Sequence, residues 1–391
     1  MPIPRHCPNP SCPNYHAPPR GWCYRHGSYE TAAHGTVARY RCKRCGKTSS
    51  HQTESVYYYT KRRLNLPIIF SRLRGGSSLR DIARSFGVSR TAVTTSLFRL
   101  GRQAIAAHAT LTQGVGFSQT AAFDGLLSFV TSQDFPCHLT TSVASSSEFI
   151  LTMTHAIIRR GGTFTPKQQR RIVEKEKVWR PTKGALTQAI SLLIRELVGS
   201  YEGWRSSLPM ICDTDEHPLY RKLLKRDIGF GFFKRHGLAT HRMTSSKEPR
   251  TAMNPLFPVN LIDMLLRHRM KEHTRETIAF GRHAVHQMHR AWIFAYDHNY
   301  CQPRRVKAGD RSVRRAAAMG IAEAEMQQVK REFFSRRIDL REVSVADSMV
   351  QVWLGELESP PVRWRKGQRE ARRVRIPAFA LRDLLRSQQF Q

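Results

Sequence analysis

Residues 118–130, SQTAAFDGLLSFV, constrain this chain more than any other stretch. They are apolar and strand-forming, with one acid, Asp124, in the middle. A carboxylate on a core strand costs free energy to bury unless something pairs with it. The period of two along a strand puts Asp124 on the same face as Ala122, Leu126 and Ser128. An acid on so apolar a face is expected to look into a site, not into water. Two more acid-bearing elements follow. The apolar run 208–215, LPMICDTD, ends in Asp213 and Asp215, and the helical run 257–282 carries Asp263 near its start. Three acids at core elements of a basic chain predict a metal-ion site for cutting phosphodiesters.

The charge balance points the same way. The 391 residues hold 64 Lys and Arg against 30 Asp and Glu, a formal charge of +34. That excess goes beyond what solubility requires and predicts a polyanionic partner, nucleic acid before an anionic membrane surface. No run of about 18 apolar residues is present, so no bilayer span is expected. The opening MPIPRHCPNP has no apolar signal-peptide core, and a cytoplasmic, nucleoid-associated protein is expected. Five of the eight cysteines fall within the first 45 residues, which favours metal over disulfides.

Along the chain, residues 1–58 form the first expected module. Cys7 and Cys12 (CPNPSC) and Cys42 and Cys45 (CKRC) can close one tetrahedral thiolate site on two knuckle turns, with Gly46 suited to the second. Cys23, His6, His16, His26 and His34 are alternative ligands. A structural zinc would replace the core that so short a segment cannot build.

Residues 59–109 read as a helical DNA-binding unit. Leu79, Ile82, Ala83 and Phe86 make one stripe; Gly87 stops it, Ser89 caps, and Val93, Leu97 and Leu100 continue on the next helix. This spacing is that of a helix-turn-helix. Helix 89–102 would present Arg90, Thr91, Thr94 and Thr95 to the major groove. Residues 110–119 read as the linker to a catalytic part that extends to residue 303.

Beyond the linker the period changes to that of strands: TAAFDGLLSFV, CHLTTSVA and EFILTMTHAII, with 145–147 turning between the last two. Two helices are expected within 159–207, the first capped by Thr165 with Pro166 following, its charged face toward solvent. In LPMICDTD, Asp213 and Asp215 share one side of the strand, so periodicity does not choose between them. Asp215 is preferred because the strand end leaves coordination positions open. Residues 241–256 read as a loop. On the helix 257–282, at about 100° per residue, Asp263 lies about 55° from the centre of the apolar stripe, Glu276 about 85° and Glu272 about 125°. Asp263 is therefore the preferred third acid, with Asn260 one turn before it, and Glu272 is expected to face solvent beside a base. His283, His286 and His289 sit on a basic aromatic helix and are expected to face phosphate or solvent. Residues 304–391 read as a basic C-terminal region: a spacer, a helix near 321–334 and a last stretch, VRWRKGQREARRVR, that grips DNA or a partner or stays a tail.

In this order, the Cys pairs with RYRCKRCGKT, then DIARSFGVSRTAV, FDGLLSF, TDEHPLY, NPLFPVNLIDMLLR, and RETIAFGR followed by HNYCQP resemble bacterial insertion-sequence transposases of the DDE class, from residue 7 to residue 305. The resemblance implies an RNase H-like catalytic domain, a mixed five-stranded sheet flanked by helices, with 159–207 as a helical insertion. It maps the acids of the first strand, the fourth strand and a late helix onto Asp124, Asp215 and Asp263. The family's third acid is usually glutamate, so either Asp263 substitutes or Glu272 or Glu276 holds that place. It further implies two Mg²⁺ ions roughly 4 Å apart, replaceable by Mn²⁺, terminal repeats and target sites in double-stranded DNA, and a homo-oligomer that joins two ends. The rival expectation is a non-catalytic regulator using only the zinc and helix-turn-helix modules; an RNA-binding scaffold is weaker, since a helix-turn-helix favours duplex DNA.

Overall fold

A computed structural model of the chain describes residues 3–201, 208–245, 247–274, 279–305 and 313–361. At the N-terminus, β1 (Cys23–Thr31) and β2 (Gly35–Cys42) form an antiparallel hairpin that sets Cys23 opposite Cys42, and β3 (Thr48–Ser49) pairs with β2. This sheet has little apolar material of its own. Its cluster consists of Cys7, Cys12, Trp22 and Cys42, with Cys23 against it.

Three helices follow, each started by a local cap. Asn65 caps α1 (Leu66–Arg74), Ser78 caps α2 (Leu79–Ser85) and Ser89 caps α3 (Arg90–Leu111), each side chain accepting a backbone amide three residues on. Gly87, at φ +59°, turns the chain between α2 and α3. The expected end of α3 at residue 102 is corrected: the helix runs to Leu111 and takes up the start of the expected linker. Its second half is apolar or buried on every side (Ala104, Ile105, Ala106, Ala107, Ala109 and Leu111), as befits a helix driven through a core. It packs along α9 (Ala284–Tyr296). Gly101 permits this approach, since a β-carbon there would lie 2.2 Å from Nδ1 of His289. One apolar core runs from Val56 to Trp353, so the helices around Gly87 are built into the part of the chain that follows rather than tethered to it.

The second sheet holds β4 (Thr120–Phe129), β5 (Pro136–Ala144), β6 (Phe149–Ile157), β7 (Met210–Asp215) and β8 (Ala239–Thr244), in the order β6-β5-β4-β7-β8. β5 is antiparallel to β4 and β6, whereas β7 and β8 run parallel to β4. β8 occupies part of the expected loop 241–256. Its sequence, ATHRMT, lacks alternation because it is an edge strand with mostly solvent-facing side chains. Between β6 and β7 come α4 (Pro166–Glu176) and α5 (Ala185–Gly199). The expected insertion is two unlike helices. α5 buries Ile190, Leu193, Ile194 and Leu197 and packs on β5 and β6 as a layer of the fold. α4 is peripheral, tied down through Arg171 and Lys175, which share Asp134 with Arg160.

After β7 come α6 (Pro218–Arg226) and α7 (Ile228–Arg235), and after β8 comes α8 (Phe257–Arg269). The expected helix 257–282 is shortened, because α8 stops at Arg269 and a tight turn over Lys271–His273 dives into the core. Ser128 draws it in, donating to the Glu272 carbonyl at 3.0 Å and meeting His273 Nδ1 at 2.9 Å. Glu272 is therefore buried against Arg290, 3.3 Å away, and does not face solvent. The histidine expectation is also corrected. His289 is fully buried, His286 packs its ring on Phe98, and His283 caps α9.

The C-terminal region is no mere tail. α10 (Arg315–Ala318), α11 (Glu323–Phe333) and α12 (Asp347–Leu354) belong to the core, α11 and α12 packing on α3. The Gln103 amide donates to the carbonyls of Phe333 and Arg336 at 2.9 and 2.8 Å. The stretch VRWRKGQREARRVR lies outside the described residues, and among the described residues no helix is long and apolar enough to cross a membrane.

Glu196 of α5 joins three elements: its carboxylate accepts the Ser348 amide (2.7 Å), the Ser348 hydroxyl (2.7 Å) and the Thr152 hydroxyl (2.6 Å). Glu196→Ala should cost about 2–4 kcal/mol in urea unfolding, because buried donors lose their acceptor, and Glu196→Gln should cost less than half of that.

Candidate active site and metal centre

The N-terminal thiols are brought together by turns the sequence encodes. The Cys7 amide donates to the Asn14 carbonyl and the Cys12 amide to that of Asn9, at 2.9 and 3.0 Å, which folds the first knuckle. The Gly46 amide closes the second on the Cys42 carbonyl at 3.0 Å, with Gly46 at φ +70°. Cys7 and Cys45 then stand 3.4 Å apart at sulfur, Cys12 and Cys42 3.8 Å, and all four sulfurs lie within 4.8 Å of one another. A zinc tetrahedron with bonds of about 2.3 Å has edges of about 3.8 Å, so the four thiols are compatible with a structural zinc. The alternatives Cys23, His6, His16, His26 and His34 are not in this group. Burial alone would raise the Cys42 thiol, but the Cys45 amide and the Asn14 side chain, which donates to its sulfur at 3.4 Å, bring it down to about 6.

The acids meet by strand register. β4 and β7 pair Thr120 with Ile211, Ala121 with Cys212 and Ala122 with Asp213. Two residues further along each strand, Asp124 comes beside Asp215 on the same face. α8 lies over β4 and β5 and brings Asp263 to that place. Asp124, Gly125, Leu127, Arg250, Asn260, Asp263, Met264 and Arg267 line a cleft of about 430 Å³; Asp215 is not among them but is close enough to raise the Asp124 carboxyl. Tyr220 of α6 reaches in, its hydroxyl 3.4 Å from Asp124 Oδ1. Among the described residues the three carboxylates are not drawn together as tightly as the four thiols.

Burial dominates the electrostatics of Asp124 and Asp263. Burial first, and the Asp215 carboxylate after it, push Asp124 up to about 6 against the lowering effect of the Gly125 amide, which donates to it at 2.6 Å. Burial and then Asp124 hold Asp263 well above the usual carboxylate range. Asp263 Oδ1 is buried without a hydrogen-bond partner. A divalent ion bound here would ligate the orphaned Asp263 oxygen and offset the repulsion between Asp124 and Asp263.

The alternative acids are engaged elsewhere. Asp213, 1% exposed, takes a two-point ion pair from Arg242 of β8 at 2.7 and 2.8 Å. Glu272 faces Arg290, and Glu276 lies outside the described residues. Asn260 lines the cleft one turn before Asp263. Sequence reasoning missed Arg250, Arg267 and Tyr220. The last stands in TDEHPLY, five residues past Asp215, where a helix starting at Pro218 turns it back toward the strand ends. At the start of α3, Arg90, Thr91 and Thr95 are exposed and Thr94 is half-buried; the Thr94 and Thr95 hydroxyls donate to the Arg90 and Thr91 carbonyls, both at 3.0 Å.

No protein-family model matches the chain, and no curated protein matches it at a significant level.

Cys42→Ser should lower the metal content of purified protein from about one zinc per chain toward none, measured by mass spectrometry, and loosen the small sheet first, because ligation there stands in for a core. A second expectation concerns pH. Because Asp124 and Asp263 bind protons more tightly folded than unfolded, the protonation that favours the fold is present at low pH and lost as pH rises through about 6 for Asp124. In Mg²⁺-free buffer Asp124→Asn should therefore gain stability over wild type at pH 8, by roughly 1–3 kcal/mol, and little at pH 4. Thermal melts at the two pH values check this.

Proposed function

We propose that the chain is a DDE-class DNA transposase that cuts and joins strands at metal ions held by Asp124, Asp215 and Asp263. The observation that carries the reading is that Asp124 and Asp263 line one cleft, with Asp215 near enough to act on the charge of Asp124 and a buried oxygen of Asp263 left unpartnered. The strand order supports an RNase H-like core: third, second, first, fourth, fifth, with only the second strand antiparallel. Asp124 would come from the first strand, Asp215 from the end of the fourth and Asp263 from the later helix.

Mg²⁺ held by Asp124, Asp215 and Asp263 would supply Lewis-acid activation for displacement at phosphorus. The protein's own residues set the geometry. Tyr220 orients Asp124 and Asn260 supports the wall next to Asp263, while Arg250 and Arg267 add positive charge where a scissile phosphate would sit. In this reading Arg90, Thr91, Thr94 and Thr95 at the start of α3, together with the zinc module, read terminal repeats in duplex DNA. The net charge of +34 makes that binding strongly salt-dependent. Joining two ends calls for a homo-oligomer acting on DNA in the cytoplasm.

The test is strand cleavage of a labelled duplex, chosen by selection for tight binding to the full chain. Wild type should cut with Mg²⁺. Asp124→Ala, Asp215→Ala and Asp263→Ala should each lose about a hundredfold or more while still binding. Asp213→Asn should keep metal-dependent cutting per folded molecule. Tight binding with no cutting under any divalent metal would leave the non-catalytic regulator.

A further inference from the structure

The turn between α1 and α2 is bolted to the C-terminal end of the helix that carries Asp263, at three independent points. Gly76, at φ +83°, lies so close to the end of α8 that a β-carbon would be 2.8 Å from the Arg269 carbonyl oxygen. Arg290 of α9 donates to the Leu73 carbonyl (3.4 Å) and the Ser77 carbonyl (3.3 Å) on one side, and on the other faces Glu272, just past α8, at 3.3 Å. Asp297, fully buried, takes Arg74 of α1 at 2.8 Å and Arg269 of α8 at 3.2 Å, with Gln302 filling its remaining positions.

None of these groups touches the cleft, and packing alone does not need them all to be charged. Buried ion pairs contribute little net stability against apolar replacements, but they fix one arrangement over others. What they fix here is the end of α8, about two turns from Asp263, relative to the two helices that precede the recognition helix. α8 is anchored at this end and packs on β4 and β5. A small displacement of the α1–α2 turn therefore shifts the height of Asp263 over Asp124.

We propose that Gly76, Arg74, Arg290 and Asp297 are positioning residues that couple DNA engagement by the helix-turn-helix to the placement of Asp263, so that the metal site tightens when a cognate end is read. This rests on the transposase reading above. By linkage, a duplex that the helix-turn-helix grips must raise metal affinity by the same factor that the metal raises duplex affinity.

The experiment titrates Mn²⁺ by electron paramagnetic resonance into the zinc-loaded full chain, with and without a selected duplex trimmed so that it ends before the cleavage position and offers the cleft no phosphate. In wild type the trimmed duplex should tighten Mn²⁺ binding by about fivefold or more. Gly76→Ala and the milder Arg74→Gln should keep duplex and Mn²⁺ affinities near those of wild type when each is measured alone, and lose the coupling. A role in stability alone would lower the melting temperature and leave the coupling factor intact, which overturns the proposal, as does a wild type whose Mn²⁺ affinity ignores the duplex. Absence of Mn²⁺ binding, or binding unaltered in Asp263→Ala, instead fails the metal-site reading itself and takes this proposal down with it.

Discussion

The fold is arranged around the burial of carboxylates. Asp124, Asp215 and Asp263 approach one another at the end of the central strand pair, and burial holds two of them above the ordinary carboxylate range. The Gly125 amide and the Tyr220 hydroxyl donate to Asp124, but burial outweighs them. The nearest bases, Arg250 and Arg267, line the same cleft and lower the Asp263 value, but burial still outweighs them. Elsewhere the chain handles buried acids differently. Asp213 has Arg242, Asp297 has Arg74 and Arg269, and Glu196 has three donors. The contrast separates acids paired with a base or a set of donors from Asp263, whose Oδ1 is buried without a hydrogen-bond partner.

The core then serves to hold that arrangement against its own cost. β4 is flanked on both sides by paired strands, α8 closes over it, and α3 and α9 run together beneath one continuous apolar cluster. The helix-turn-helix belongs to this cluster through the second half of α3, and the chain from 313 to 361 returns to pack on it. The helices around Gly87 and the acid-bearing elements thus share one apolar core.

Much of this was legible in the sequence, because local chemistry carries it. The serine cap at 89, Gly87, the two Cys pairs and the lone acid of an apolar strand are short-range signals, and the structure has each in the form expected. The choice of Asp215 over Asp213 needed the neighbouring strand: both share a face, and only the register of β8 shows Arg242 opposite Asp213. α8 looked longer than it is because residues 270–273 keep helical spacing, and nothing local announces that Ser128, far back in the chain, pulls that turn inward. The same limit hid the burial of Glu272 and of the α9 histidines. Their polarity suggested solvent, whereas the packing of α3 on α9 through Gly101 decided otherwise.

The most direct measurement is anomalous diffraction from crystals of the full chain grown with Mn²⁺. The account predicts a manganese peak bonded at about 2.2 Å to oxygens of Asp124 and Asp263, with Asp215 ligating the same ion or its neighbour, and Asp213 still paired with Arg242. An ordered cleft with no manganese at millimolar concentration, and with Asp263 turned instead onto Arg267 or Arg250, would contradict it.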